Sequence, residues 1–218
     1  MANAATENVY NLIILDESGS MESIKSSIIS GFNELVQSIR RAQTEFSTQS
    51  HFISLVTFSD DKTNFLLWNE PVSKLEYINE DTYRPNCSTP LYDAIGRSVR
   101  RMKEVLPSHT KSGVLVTILT DGEENSSREF TGPQIREMID SLRTSDWTFT
   151  YIGANHDVEA AARKMAIKNT LNFKASETGV EDMFGREMNA RMAYYQKRFE
   201  GLDVTGDFYQ REEEENKK

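Results

Sequence analysis

Five residues of this chain join oxygen-bearing side chains to positions at the ends or starts of apolar runs. They are Asp16, Ser18 and Ser20 in "LDESGSM", Thr89 in "CSTPL" and Asp121 in "LTDGEEN". None carries an imidazole or a thiol. Carboxylate and hydroxyl oxygens suit hard cations such as Mg2+, Mn2+ or Ca2+ and disfavour Zn2+ or Cu2+. Taken singly, each segment also reads as ordinary local structure. Asp and Ser cap helices and populate turns, Ser88 or Thr89 fits a helix cap, and Gly122 permits a positive φ after Asp121. Their common placement is what calls for an explanation.

That placement follows from the order of elements. Residues 9–15 (VYNLIIL) form a short continuous apolar run, the mark of a strand covered on both faces. Ile24, Ile28, Phe32, Leu35, Val36 and Ile39 then recur at helical spacing through about residue 46. Residues 51–59 predict a second strand and 64–69 an edge strand beside it. A helix starts near Pro90, and 113–122 predict another apolar strand ending in an acid. Helices over 133–143 and 158–165, strands over 148–153 and 171–173, and a long helix over 180–199 complete the pattern. Strands alternating with helices predict a three-layer, doubly wound α/β fold, a mainly parallel sheet with helices on both faces. Ligands of such sheets sit outside the carboxyl ends of the strands, where Asp16, Ser18, Ser20 and Asp121 fall.

"DESGS", "STPL" and "LTDGEEN", in that order, resemble the three-part metal-ion-dependent adhesion site of von Willebrand factor A (vWA) domains. The resemblance covers roughly residues 8–200, and short intracellular members are the nearest in style. It implies that Ser18 and Ser20 coordinate an ion, Mg2+ first with Mn2+ or Ca2+ as alternatives, through their hydroxyls. Thr89 would bind directly or through water, while Asp16 and Asp121 act through water or hold the hydroxyls. Gly19 would let the loop turn tightly, and Glu17 falls outside the pattern. Neutral hydroxyls leave such an ion under-neutralised, so it accepts an Asp or Glu from another protein. The expected function is therefore a metal-dependent protein-binding module, not an enzyme.

The alternative is a phosphohydrolase or phosphotransferase of the haloacid-dehalogenase type, using Asp16 and Mg2+. That chemistry needs a second acid two positions on, and Ser18 stands there. A third reading is a member whose metal site is vestigial. No Ser-His-Asp set, G-x-S-x-G elbow or P-loop is present.

Composition narrows the field further. The net charge of −9 argues against nucleic-acid partners, and no run approaches the length of a membrane span. One cysteine, Cys87, excludes an internal disulfide framework; with no basic segment before the first apolar run, it favours the cytoplasm. Cys87 itself is expected to be a buried or incidental thiol. His51, His109 and His156 are expected to be structural, Asp157 to cap a helix, and Glu123 and Glu124 to sit in a solvated loop. One domain over 1–200 and an acidic, solvated tail over 201–218 are expected. A Glu among Glu212–Glu215 is a candidate ligand for a neighbour's ion.

Overall fold

In the computed structural model the described residues are 7–60, 62–74, 77–107, 111–204 and 206–209. The strands are β1 (Glu7–Asp16), β2 (Gln49–Ser59), β3 (Lys62–Pro71), β4 (Ser112–Thr120), β5 (Trp147–Gly153) and β6 (Asn169–Asn172). The α-helices are α1 (Lys25–Glu45), α2 (Leu91–Val105), α3 (Gly132–Leu142), α4 (Val158–Lys164) and α5 (Glu177–Phe199). A 3-10 turn, Gly19–Ile24, leads from β1 into α1. No α-helix of the described residues is long and apolar enough to cross a membrane.

The strands lie in the order β3-β2-β1-β4-β5-β6. All neighbouring pairs are parallel except β2 with β3, whose antiparallel ladder is interrupted by register shifts. The expected fold class is the one observed. Because the order changes direction between β1 and β4, the connections from those two strands leave on opposite faces. In doubly wound sheets the carboxyl ends of such a pair bound the ligand crevice.

Alternation along each central strand explains the unbroken apolar runs. Val9, Ile13 and Leu15 of β1 join Leu115 and Leu119 of β4 in a core under α1 and α5. Tyr10, Leu12 and Ile14 join Val114, Val116 and Ile118 under α2, α3 and α4. Both sheet faces are therefore buried, and strand side chains have no wet side to offer. Gly31 lets α1 approach α5: a Cβ there would fall 2.0 Å from the Phe184 ring.

One feature of the α5 face was not expected. Arg191, fully buried, donates to Glu187 Oε1 at 2.6 Å, Asn11 Oδ1 at 2.8 Å and Thr117 Oγ1 at 2.6 Å. Arg198 meets Glu7 of β1 at 2.5 Å lower on the same helix. Buried His51 joins this belt through Gln49, and burial, aided by the Arg191 charge, pushes its imidazole down to about 4. His51 is thus structural, but not the fully satisfied histidine expected, since its Nδ1 is buried without a partner among the described residues; His109 lies outside them.

The expected boundary at residue 200 does not hold. Phe208 is buried in the α1–α5 core, its N–H donates to Asn169 Oδ1, and the Tyr209 hydroxyl donates to Glu187 Oε2. An aromatic pair near the end of "VTGDFY" supplies enough apolar surface to bring this segment back onto the sheet. Glu212–Glu215 lie outside the described residues.

Replacing Arg191 with Ala leaves the Glu187 carboxylate buried without its cation. The expected cost is about 3–5 kcal/mol of unfolding free energy. It is to be read as a lower urea midpoint at unchanged slope.

Candidate metal centre

The crevice between β1 and β4 brings the residues of three distant segments together. Asp16 is the last residue of β1 and fully buried. Its Oδ1 accepts the Ser18 N–H at 2.7 Å and its Oδ2 accepts the Thr120 hydroxyl at 2.5 Å. Its carbonyl accepts the hydroxyl of Tyr83, also fully buried, at 2.6 Å. The carboxylate thus fixes the turn after β1 and bridges to the last residue of β4.

Past that turn, Ser18 Oγ and Ser20 Oγ lie 3.2 Å apart. Ser20 Oγ donates to Asp121 Oδ1 at 2.5 Å, closing the gap between the two strand ends. Thr89 enters from the loop before α2, and a Cβ placed on Gly122 would stand 3.7 Å from its Oγ1. Ser18, Thr89 and Asp121 are buried, while Ser20 is exposed. Asp16, Ser18, Ser20 and Asp121 are thereby joined by hydrogen bonds, and Thr89 stands beside Gly122 at the same rim.

Several local expectations need correction. Neither Gly19 nor Gly122 has a positive φ, and a Cβ on Gly19 would meet only ordinary contacts with Cys87. The left-handed residue is Cys87 itself, at φ 62, and its thiol is exposed, not buried. Neither Ser88 nor Thr89 caps α2, which starts after Pro90 without a side-chain cap bond from that position. Glu124 does that work from across the site, and it is no solvated loop residue. Its carboxylate accepts the N–H groups of Tyr92, Ser126 and Ser127. Asp157 does cap α4, accepting the Ala160 N–H at 2.9 Å.

Sequence reasoning missed the residues that hold the loops. Glu17 is buried and accepts the Arg84 N–H at 2.6 Å, while Gly19 donates to the Cys87 carbonyl. Asp93 accepts the N–H groups of Arg128, Glu129 and Phe130. Asn125 bonds Thr89 through both its side chain and its main chain. An acid in the first turn of α2 was a readable sign for Asp93. Tyr83 gave none. His156 sits beside the crevice as a bridge, donating from Nδ1 to the Ala154 carbonyl at 2.6 Å and accepting the Tyr151 hydroxyl at Nε2.

Electrostatics mark the pair of acids. Burial pushes the Asp16 carboxyl up to about 6, against the pull of its Thr120 and Ser18 bonds, and the nearby Asp121 charge adds to the rise. Burial raises Asp121 as well, opposed by the Ser20 bond. None of the ion pairs formed among the described residues involves either carboxylate.

The donor set fits a hard divalent ion. Adjacent oxygens around an octahedral ion with bonds of about 2.1 Å stand roughly 3 Å apart, which the serine pair already matches. Among the described residues no three His, Cys, Asp or Glu side chains converge as a metal group, so an ion here would depend on the Ser and Thr hydroxyls.

A doubly wound α/β domain with an oxygen-lined crevice at its topological switch point is the class that fold and site define. The family model of the von Willebrand factor type A domain matches residues 12–186, and the chain belongs to that family. No curated protein matches the chain. Among solved structures, the pilus adhesin SpaC from Lactobacillus rhamnosus GG, in its open conformation, is similar with a TM-score of 0.60 at 14% identity. That match covers 88% of this chain and 31% of the adhesin. Proximal thread matrix protein 1 from the mussel byssus gives 0.56 at 12% identity, covering 85% of this chain and 46% of that one. The SpRpn10 VWA domain gives 0.52 at 9%, covering 82% of this chain and 94% of its own. At these identities the likeness is one of fold. The chain spans less than half the length of the first two.

The raised Asp16 pKa fixes a pH dependence. The folded state holds its proton up to about pH 6, the unfolded state only to about 3.8, so folding stability falls as pH rises through that window and levels off above it. In EDTA, wild type should lose melting temperature between pH 4 and 6.5 relative to Asp16→Asn. Parallel curves for the two proteins in scanning calorimetry would contradict the assignment.

Proposed function

We propose that this chain is a divalent-cation-dependent protein-binding module. VWA domains generally mediate protein interactions, and the crevice suggests how this one would do so. Ser18, Ser20 and Thr89 would hold the ion through their hydroxyls, and Asp16 and Asp121 would orient those hydroxyls and hold the ion through water. The observation that carries the reading is the Ser18–Ser20–Asp121 chain of contacts, which joins two strand ends beside a second buried carboxylate.

When bound, the ion supplies a Lewis-acidic position that attracts an anionic oxygen. Three neutral hydroxyls satisfy its geometry more than its charge, so an Asp or Glu of a partner protein is the ligand that completes it. Mg2+ is the first choice, with Mn2+ or Ca2+ able to occupy the same oxygens. The chain's own residues then act by positioning: the Asp16 carboxylate holds the 16–18 turn, and Asp121 holds the hydroxyl of exposed Ser20. Catalysis is not part of the proposal, since the position two past Asp16 carries a hydroxyl with no proton to give at neutral pH. A cytoplasmic setting belongs to the same reading, supported by the single cysteine.

Titration calorimetry with Mg2+ should show saturable binding that is lost in Ser18→Ala and in Asp121→Ala. At a hundredfold excess over Kd the ion should stabilise the fold by about 2.7 kcal/mol relative to EDTA. Partner proteins should be retained in Mg2+, released by EDTA and absent from Asp121→Ala. Undiminished ion binding in either variant removes the site. Phosphate release from generic phosphomonoesters, abolished by Asp16→Asn, would favour the phosphohydrolase instead.

A further inference from the structure

We propose that Asn125 is a positioning residue that sets which ion the site prefers, by fixing Thr89 so that a small octahedral cation such as Mg2+ is favoured over Ca2+. The inference rests on reading Asp16, Ser18, Ser20, Thr89 and Asp121 as an ion site.

Thr89 is the one candidate ligand that neither β1 nor β4 delivers. It belongs to the loop before α2, and its place relative to Asp121 has to be set by something other than the sheet. Asn125 does this through two bonds. Its side-chain oxygen accepts the Thr89 N–H at 2.9 Å, and its own N–H donates to the Thr89 carbonyl at 3.2 Å. Both main-chain polar groups of Thr89 are thereby engaged by one residue, four positions past Asp121. The accepting atom must be the amide oxygen, because its partner is an N–H.

The loop that carries Asn125 is itself held. Glu124 accepts from Tyr92, Ser126 and Ser127, and Asp93 returns the favour by accepting from Arg128, Glu129 and Phe130. On the other side of Thr89, the Ser88 carbonyl accepts the Asp60 N–H, and the Cys87 carbonyl accepts the Gly19 N–H. Thr89 is bracketed between the β1 loop and the β4 loop. Asn125 is exposed, so its contribution is these bonds and not buried surface.

Rigidity is what separates the two ions. Mg2+ demands near-ideal octahedral oxygens at about 2.0–2.1 Å, whereas Ca2+ accepts about 2.3–2.6 Å and irregular geometry. A Thr89 that cannot retreat keeps the shorter distances available and resists the longer ones. Without the side-chain bond, Thr89 keeps only the bonds to its carbonyl, from the N–H groups of residue 125 and Leu91, and its freed N–H end can shift to suit either ion.

The test is calorimetry of the full chain with Mg2+ and, separately, with Ca2+, on wild type, Asn125→Ala and Asn125→Asp. In Asn125→Ala the Mg2+ affinity should fall about tenfold, while Ca2+ affinity stays within about twofold. Melting in EDTA should fall by several degrees in Asn125→Ala, where the buried Thr89 N–H loses its acceptor, and stay near wild type in Asn125→Asp. Asn125→Asp keeps the acceptor and should keep the Mg2+ preference. Equal losses for both ions, an unchanged ratio, or an Asp variant as unselective as the Ala variant would each overturn the role of Asn125 while leaving the site intact. Wild type that binds neither ion would remove the site itself, and this inference with it.

Discussion

Two carboxylates buried side by side without a cation set the terms for the whole upper face of this domain. Asp16 ends β1, and Asp121 follows β4, the two strands between which the sheet order turns. Desolvation makes each charge costly, and the Asp121 charge makes Asp16 costlier still. The fold answers with neutral donors: the Thr120 and Ser20 hydroxyls and the Ser18 N–H. These bonds tolerate the charges without cancelling them.

The loops around the acids follow from the same economy of polar groups. A rim without regular secondary structure carries many main-chain N–H groups that need acceptors. Glu124 and Asp93 supply them reciprocally, each from the partner's element, and Glu17 and Asn86 do so around the turn after β1. Carboxylates engaged in this way become struts. The acids of this rim differ in what they accept: Glu17, Asp93 and Glu124 take main-chain N–H groups, Asp121 takes the Ser20 hydroxyl, and Asp16 takes one donor of each kind.

Ionic groups elsewhere in the molecule are treated in the opposite way. Under α5 every buried charge has its counter-charge: Arg191 with Glu187, and Arg198 with Glu7. Such pairs add little net stability over an apolar packing. They do tie α5 to β1 and β4 at particular residues, since sliding the helix would part them. The segment around Phe208 and Tyr209 extends this belt to β6 and the Glu187 carboxylate. Asp16, Glu17 and Asp121 at the rim form no such ion pair among the described residues.

Local sequence was sufficient for the α/β alternation, the burial of β1 and β4 on both faces, and the five oxygen donors at strand and helix ends, because each rests on periodicity or on a side chain at the end of its own element. It also contained, unread, the Glu187–Arg191 pair on the same stripe as Phe184 and Tyr195. Tertiary structure alone decided that Glu124 caps a helix 32 residues away in sequence, that Tyr83 reaches the Asp16 carbonyl, that Asn125 clasps Thr89, and that the 206–209 segment packs. Those contacts join segments whose separation along the chain carries no pattern. They form because the sheet has already brought unsatisfied backbone groups together, and a lone side chain of the right length satisfies them.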